Sequence, residues 1–200
     1  MIRRFAKSIA ISLEVAKIGF EKSFFIGETK ESILGYTDCL TKVHNRKAFE
    51  RDKEYIPKDL SMVMIDIDNL KVINDTRGHS MGDWIIQRLA EILTIEAGTH
   101  GRIYRYAGDE FVCFIPRDKV ETFCSAIRNE TKKQDAFTVS QGVILNLDQG
   151  MVSDALVMAD VTMYRSKKRG KDQITIAPQF FGHENMKIPF IKRTTVEQMA

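Results

Sequence analysis

The chain has 200 residues, of which 44% are hydrophobic and 28% charged, and its formal net charge is +3 at pH 7. That length holds one domain with flanking segments, and the composition supports a real hydrophobic core. The mild charge makes no case for a nucleic-acid track, no apolar run approaches the length of a membrane span, and the three cysteines lack metal-ligand spacing.

Residues 2–25 have the spacing of an amphipathic helix, with Ile2, Phe5, Ile9, Leu13, Ala16, Phe20 and Phe24 on one stripe. Such a helix could pack on its own domain, pair with a second copy or lie on a membrane surface. The basic opening Met1-Ile2-Arg3-Arg4 runs into Glu14, Lys17 and Glu21 and lacks a small-residue cleavage pattern, so it does not read as a signal peptide. Cys39, Cys113 and Cys124 read as reduced residues, two of them buried, which fits a cytoplasmic setting. Residues 27–36 have linker character. The chain therefore divides into an N-terminal helix and linker (1–35), a domain (36–177) and a tail (178–200).

Within the domain the pattern predicts a helix over 45–55, a buried strand over 60–67 and a short helix over 69–76 stopped by Gly78. Ser80 is a candidate N-cap for a helix to Ala97 with Trp84, Ile85, Leu89, Ile92 and Leu93 on its apolar side. The runs Ile103 to Tyr106 and Phe111 to Ile115 predict a hairpin. A helix over 118–132, a strand over 136–146, a helix from an N-cap at Ser153 to Lys168 and a last strand over 173–177 follow. The tail carries Phe180, Phe181, Ile188, Phe190 and Ile191, too many apolar residues for full disorder. The fold class is α/β, or α+β, with a central mixed sheet that includes an antiparallel hairpin and is covered by helices.

Two acidic pairs carry the chemistry. Asp109-Glu110 sits at the tip of the hairpin, where carboxylates gain nothing from packing. Asp66-Ile67-Asp68 ends the buried strand. Alone, Asp66 and Asp68 could merely terminate it; beside an acidic turn they present carboxylates to one rim, as a divalent metal and a triphosphate require. Lys71 follows the acidic strand, and Lys167 and Lys171 are four apart near a helix C-terminus and face the same way. Lys168 and Arg169 are accounted for by the helix dipole.

Tyr106-Ala-Gly-Asp-Glu-Phe111 resembles the signature of GGDEF-domain diguanylate cyclases, with Ala107 in place of the first glycine. The opening Asp38-Cys-Leu-Thr-Lys-Val-His-Asn-Arg46, then Asp66-Ile-Asp-Asn-Leu-Lys-Val-Ile-Asn-Asp75, Gly78-His-Ser-Met-Gly-Asp83, and Ala159-Asp160 through Tyr164, Lys167 and Gly170 resemble further motifs of that family, in its order. The resemblance implies the palm-like nucleotidyl cyclase fold and condensation of two GTP into cyclic di-GMP, with release of pyrophosphate, by a homodimer. It implies Mg²⁺ or Mn²⁺, two ions per site, held by Asp66, the Ile67 carbonyl and Asp109, with Glu110 assisting the nucleophile or holding the metal's water network. It also implies guanine contacts from Asn74 and Asp83, phosphate contacts from Lys71, Lys167 and Lys171, and further substrate contacts at Leu70 and Gly108. Guanine offers donors at N1 and N2, so acceptors such as Asn74 and Asp83 suit it and not adenine.

Some positions depart from the pattern. Ala107 could crowd a nucleotide or resist a positive φ. Lys42 and Val43 replace Gly-Leu. Leu70 replaces the common Phe, and Lys171 the usual Arg, keeping charge but losing the bidentate fork. Gln141 is polar where an apolar residue is usual. The place of an Arg-x-x-Asp product-inhibition site holds Gly98-Thr-His-Gly101, so feedback through that site is expected to be missing. The alternative function is a GTP-binding or protein-docking module with little or no turnover. A cyclase making a mixed purine dinucleotide is opposed by Asp83.

Overall fold

A computed structural model of the protein describes residues 35–57, 59–133, 137–147 and 150–177. The expected helix over 2–25 and the tail over 178–200 lie outside the described residues. Six strands and five α-helices are present among the described residues. The strands are β1 (His44–Asn45), β2 (Leu60–Ile67), β3 (Arg102–Ala107), β4 (Glu110–Pro116), β5 (Val139–Ile144) and β6 (Ile174–Ile176). The helices are α1 (Arg46–Asp52), α2 (Leu70–Arg77), α3 (His79–Ala97), α4 (Val120–Lys132) and α5 (Val152–Lys168), with a 3-10 turn at Lys53–Tyr55.

The sheet order is β1-β3-β4-β2-β5-β6. β2 lies at the centre, antiparallel to both β4 and β5, while the outer pairs β1–β3 and β5–β6 are parallel. Period-two alternation splits the core across the two faces. Val63 and Ile65 of β2, with Phe111, Cys113 and Ile115 of β4, meet Ile85, Leu89 and Leu93 of α3 and Phe123 and Ile127 of α4. Met62 and Met64, with Val112 and Phe114, meet Phe49 of α1 and Ala155, Ala159 and Met163 of α5. Each large side chain so buried contributes roughly 1.5–3 kcal/mol. The α5 face approaches closely because position 142 is glycine: a Cβ there would stand 2.3 Å from the Met163 amide nitrogen and 2.4 Å from the Ala159 carbonyl oxygen.

The strand over 60–67 and the hairpin form as the apolar runs predict. Asn45 caps α1, its Oδ1 accepting from the Ala48 amide at 3.0 Å. The two caps expected from the sequence, Ser80 and Ser153, are corrected. α3 starts at His79 behind Gly78, whose φ of 85° and ψ of 159° turn the chain sharply out of α2, so Ser80 lies inside the first turn. α5 starts at Val152 with Met151 at its N-cap and no side-chain cap bond, so Ser153 is also inside the helix. Trp84 is not a core residue: it is 44% exposed on α3, one position before the buried Ile85. Cys113 and Cys124 are buried, which pushes both thiols upward, Cys124 to about 12. No helix among the described residues is long and apolar enough to cross a membrane.

Candidate active site

The two acidic pairs meet at one end of the sheet. Asp66 is the cross-strand partner of Glu110 in the β2–β4 ladder. β3 turns into β4 over Gly108 and Asp109, with Ala107 opposite Glu110 and a register shift between Arg105 and Ala107. Asp109 is half-buried at the tip, and Asp66 is only 4% exposed. Lys167, in the last turn of α5, brings its Nζ to 2.6 Å from Asp66 Oδ2. Burial pushes the Asp66 carboxyl up to about 6; Lys167 opposes the rise, and the negative charges of Asp109 and Glu110 add to it. Three carboxylates thus share one field, offset locally by an ammonium.

A hard divalent cation suits this excess of oxygen donors and negative charge. Among the described residues no three His, Cys, Asp or Glu side chains form a ready-made cage. Mg²⁺ is commonly held by one or two carboxylates, with water and substrate phosphates completing its shell.

Asp68 does a different job from the neighbouring Asp66. It is 3% exposed and fully engaged, with Oδ1 accepting from Ser140 Oγ at 2.7 Å and Oδ2 accepting from Thr138 Oγ1 at 2.7 Å and the Asp172 amide at 2.9 Å. It joins β2 to β5 and to the segment after α5. The two sequence-predicted lysines also arrive by a route that helical spacing does not describe. α5 ends at Lys168 and Gly170 has a φ of 110°, so Lys171 lies beyond the helix. Its ammonium donates to Asn69 Oδ1, just past the end of β2, while Lys167 reaches Asp66.

α2 and α3 supply the remaining candidates. Lys71 and Asn74 are one turn apart on α2. Leu70 is 8% exposed and its side chain belongs to the core, so a substrate contact there falls to its backbone amide at the start of α2. The buried Asn74 Oδ1 has no hydrogen-bond partner. It lies against Gly82 of α3, where a Cβ would stand 1.9 Å from it. Asp83, the next residue, is exposed.

Arg105 was not anticipated from the sequence. Its Nε and Nη2 donate to the Gly108 carbonyl at 2.9 and 2.8 Å, and its Nη1 donates to Asp38 Oδ1 at 3.0 Å. Burial works to raise the Asp38 carboxyl, but hydrogen bonds from Thr41 and Arg105 win and hold it below the usual carboxylate range. The signature turn is thereby tied to the opening motif. Gly108 needs no left-handed φ, and a Cβ there would meet nothing within 4 Å. Ala107 is likewise outside the positive-φ set and exposed, so its methyl strains nothing within the chain.

Comparison with known proteins identifies the family and the fold. The profile of the family described as "Diguanylate cyclase, GGDEF domain" matches residues 35–173. The chain belongs to that family. It is 32% identical over 145 residues to the probable diguanylate cyclase DgcI of Escherichia coli K12, an alignment covering 70% of this chain and 33% of DgcI. It is 27% identical over 154 residues to the diguanylate cyclase VdcA of Vibrio cholerae, covering 68% of this chain and 45% of VdcA. The chain thus spans a third to a half of these relatives. Among solved structures, the GGDEF domain of DgcB from Caulobacter crescentus in complex with c-di-GMP superposes with a TM-score of 0.63 at 28% identity, covering 76% of this chain and 98% of that one. The mixed sheet flanked by helices is therefore the cyclase fold of GGDEF domains.

Proposed function

We propose that the protein is a diguanylate cyclase that condenses two GTP into cyclic di-GMP and releases two pyrophosphates. The observation that carries this reading is the pairing of Asp66 with Glu110 across the β2–β4 ladder, with Asp109 at the adjoining tip and Lys167 on Asp66. Asp66, Asp109 and the Ile67 carbonyl would hold Mg²⁺ or Mn²⁺, two ions per site. When bound, the metal stabilises charge on the phosphates in an in-line displacement. Glu110 takes the proton of a 3′-hydroxyl as its oxygen attacks the α-phosphorus of the GTP held by a second copy. Lys71, Lys167 and Lys171 receive the charge of the departing pyrophosphate, and the backbone amide of Leu70 adds a phosphate contact.

Gly108 supports close approach of a nucleotide to the turn, since nothing in the chain itself calls for a glycine there. The module without turnover would rest on Ala107, and its exposure and ordinary φ weigh against that reading. One site holds one GTP, so ring closure needs a homodimer, for which residues 2–25 offer an apolar stripe. Incubation with GTP and Mg²⁺ followed by mass analysis should give cyclic di-GMP, with specific activity climbing as protein concentration rises. Release of a linear product or none would overturn the reading.

Base selection follows from α2 and α3. Asn74 and Asp83 accept the donors of guanine, and Gly82 leaves the room that Asn74 occupies. Gly82→Ala should push Asn74 aside and weaken GTP binding by at least about tenfold, the cost of losing one hydrogen bond to a bound base. ATP, already weakly bound, should be little affected. Calorimetry of both nucleotides tests this, and equal losses for the two would reject it.

Product control is also predictable. Gly98, at a φ of 56°, ends α3, and Gly98-Thr-His-Gly101 supplies no guanidinium or carboxylate for a bound dinucleotide. Cyclic di-GMP should inhibit only in competition with GTP. Tight product binding that GTP does not displace would contradict this.

A further inference from the structure

Lys171 and Asp172 are consecutive and have φ values of 64° and 48°. Neither is glycine, so two adjacent left-handed residues must be held by their surroundings. Those surroundings are specific. The Lys171 amide donates to the Ser166 carbonyl at 3.1 Å and the Asp172 amide to Asp68 Oδ2 at 2.9 Å. From the other side, α4 reaches over the turn. Arg128 Nε donates to the Asp172 carbonyl at 2.9 Å and to Oδ1 at 3.1 Å, and its Nη2 donates to Oδ2 at 3.1 Å. Lys132 adds a contact to Oδ2 at 2.5 Å. These bonds hold the Asp172 carboxyl below its usual range against the opposing effect of burial. At the end of this chain of contacts the Lys171 ammonium is held on Asn69 Oδ1, beside the acidic end of β2.

We propose that Arg128 and Asp172 are positioning residues: their bidentate pair locks the left-handed turn and thereby aims Lys171 at the phosphates of the bound nucleotide. This rests on the GTP reading above. It assigns a role to α4, a helix that contributes no group to the acidic site. A planar guanidinium gripping both a carboxylate and the backbone carbonyl of one residue fixes that residue's orientation as an ammonium could not. Without it, the turn keeps only its two amide bonds and the Lys132 contact against the conformational entropy of two left-handed residues.

The test is a double-mutant cycle. Arg128→Ala should raise the dissociation constant for GTP about tenfold, as for coupled residues of one network. KM should rise in parallel, and kcat should fall as well, because Lys171 also receives the charge of the departing pyrophosphate. Arg128→Lys, which keeps charge but not the fork, should fall between. In a Lys171→Ala background, Arg128→Ala should add nothing, because its effect passes through Lys171. A merely structural role would instead weaken the Lys171→Ala protein further, and that result overturns the proposal. The three-bond amide-to-α-proton couplings of Lys171 and Asp172 read the clamp with no nucleotide present. They should shift on Arg128→Ala, and couplings identical to the parental ones would also overturn it. Failure of the parental chain to bind GTP would bring down the functional reading, while the couplings decide the clamp separately.

Discussion

Replacing Asp109 with alanine should abolish cyclic di-GMP formation while leaving the fold intact. The expected loss exceeds about a hundredfold, because removing even an outer partner of a metal site costs roughly ten- to a hundredfold. Asp109 is half-buried in the turn of the hairpin and belongs to neither core cluster, so the thermal midpoint should stay close to the parental value. The neighbouring carboxyl reports the change independently: Asp109 is one of the charges that push Asp66 upward, so its removal should lower the pH at which Asp66 titrates. An Asp109→Ala protein with near-parental turnover in Mg²⁺ would remove Asp109 from the metal set.

The second large effect concerns stability. Asp66 titrates near 6 in the folded chain against a reference of 3.8, chiefly because it is buried. Between those values the folded state keeps a proton that the unfolded state has released. Stability therefore falls as pH rises through that window, and the difference amounts to roughly 3 kcal/mol at neutral pH. Asp66→Asn removes the charge and can still accept from Lys167. It should be more stable than the parent by roughly 1–3 kcal/mol at neutral pH, equal to it at about pH 4, and inactive. Urea unfolding at both pH values measures this. Millimolar Mg²⁺ should stabilise the parent near neutral pH and leave the variant unchanged. A variant less stable than the parent under those conditions would mean that Lys167 more than compensates the buried charge.

The features legible in the sequence were those written locally. The central strand over 60–67 is an apolar run with clear borders, and the hairpin is two such runs around a polar pair, so both were found with their carboxylates. The helix expected from Asn45 starts one residue later, at Arg46, with Asn45 as its cap. Ser80 and Ser153 misled because backbone geometry, not the nearest hydroxyl, decides where α3 and α5 start. The missing parts of the site join residues far apart in the chain: Lys167 to Asp66, Arg105 to Asp38, Arg128 to Asp172. No periodicity encodes such pairs. Gln141 gains an account only in three dimensions. Fully buried in β5, it donates from Nε2 to the Cys124 carbonyl at 3.0 Å and so ties the sheet to α4, although its Oε1 is left without a partner.

The carboxylates of this site occupy rungs of one ladder, with Asp66 opposite Glu110 and Asp109 in the turn beside them. The chemistry is thus stored as an alignment of two strands, and alignment tolerates exchange of side chains far better than a change of chain length. A residue inserted at Gly108-Asp109 would carry Asp109 away from its neighbours while the rest of the ladder still paired, giving a folded protein without a site. An insertion at Gly98-Thr-His-Gly101, outside the ladder, leaves that alignment untouched. A scan of single-residue insertions would therefore separate foldability from catalysis at the hairpin and nowhere else along β3 and β4, where a slip of one position costs both.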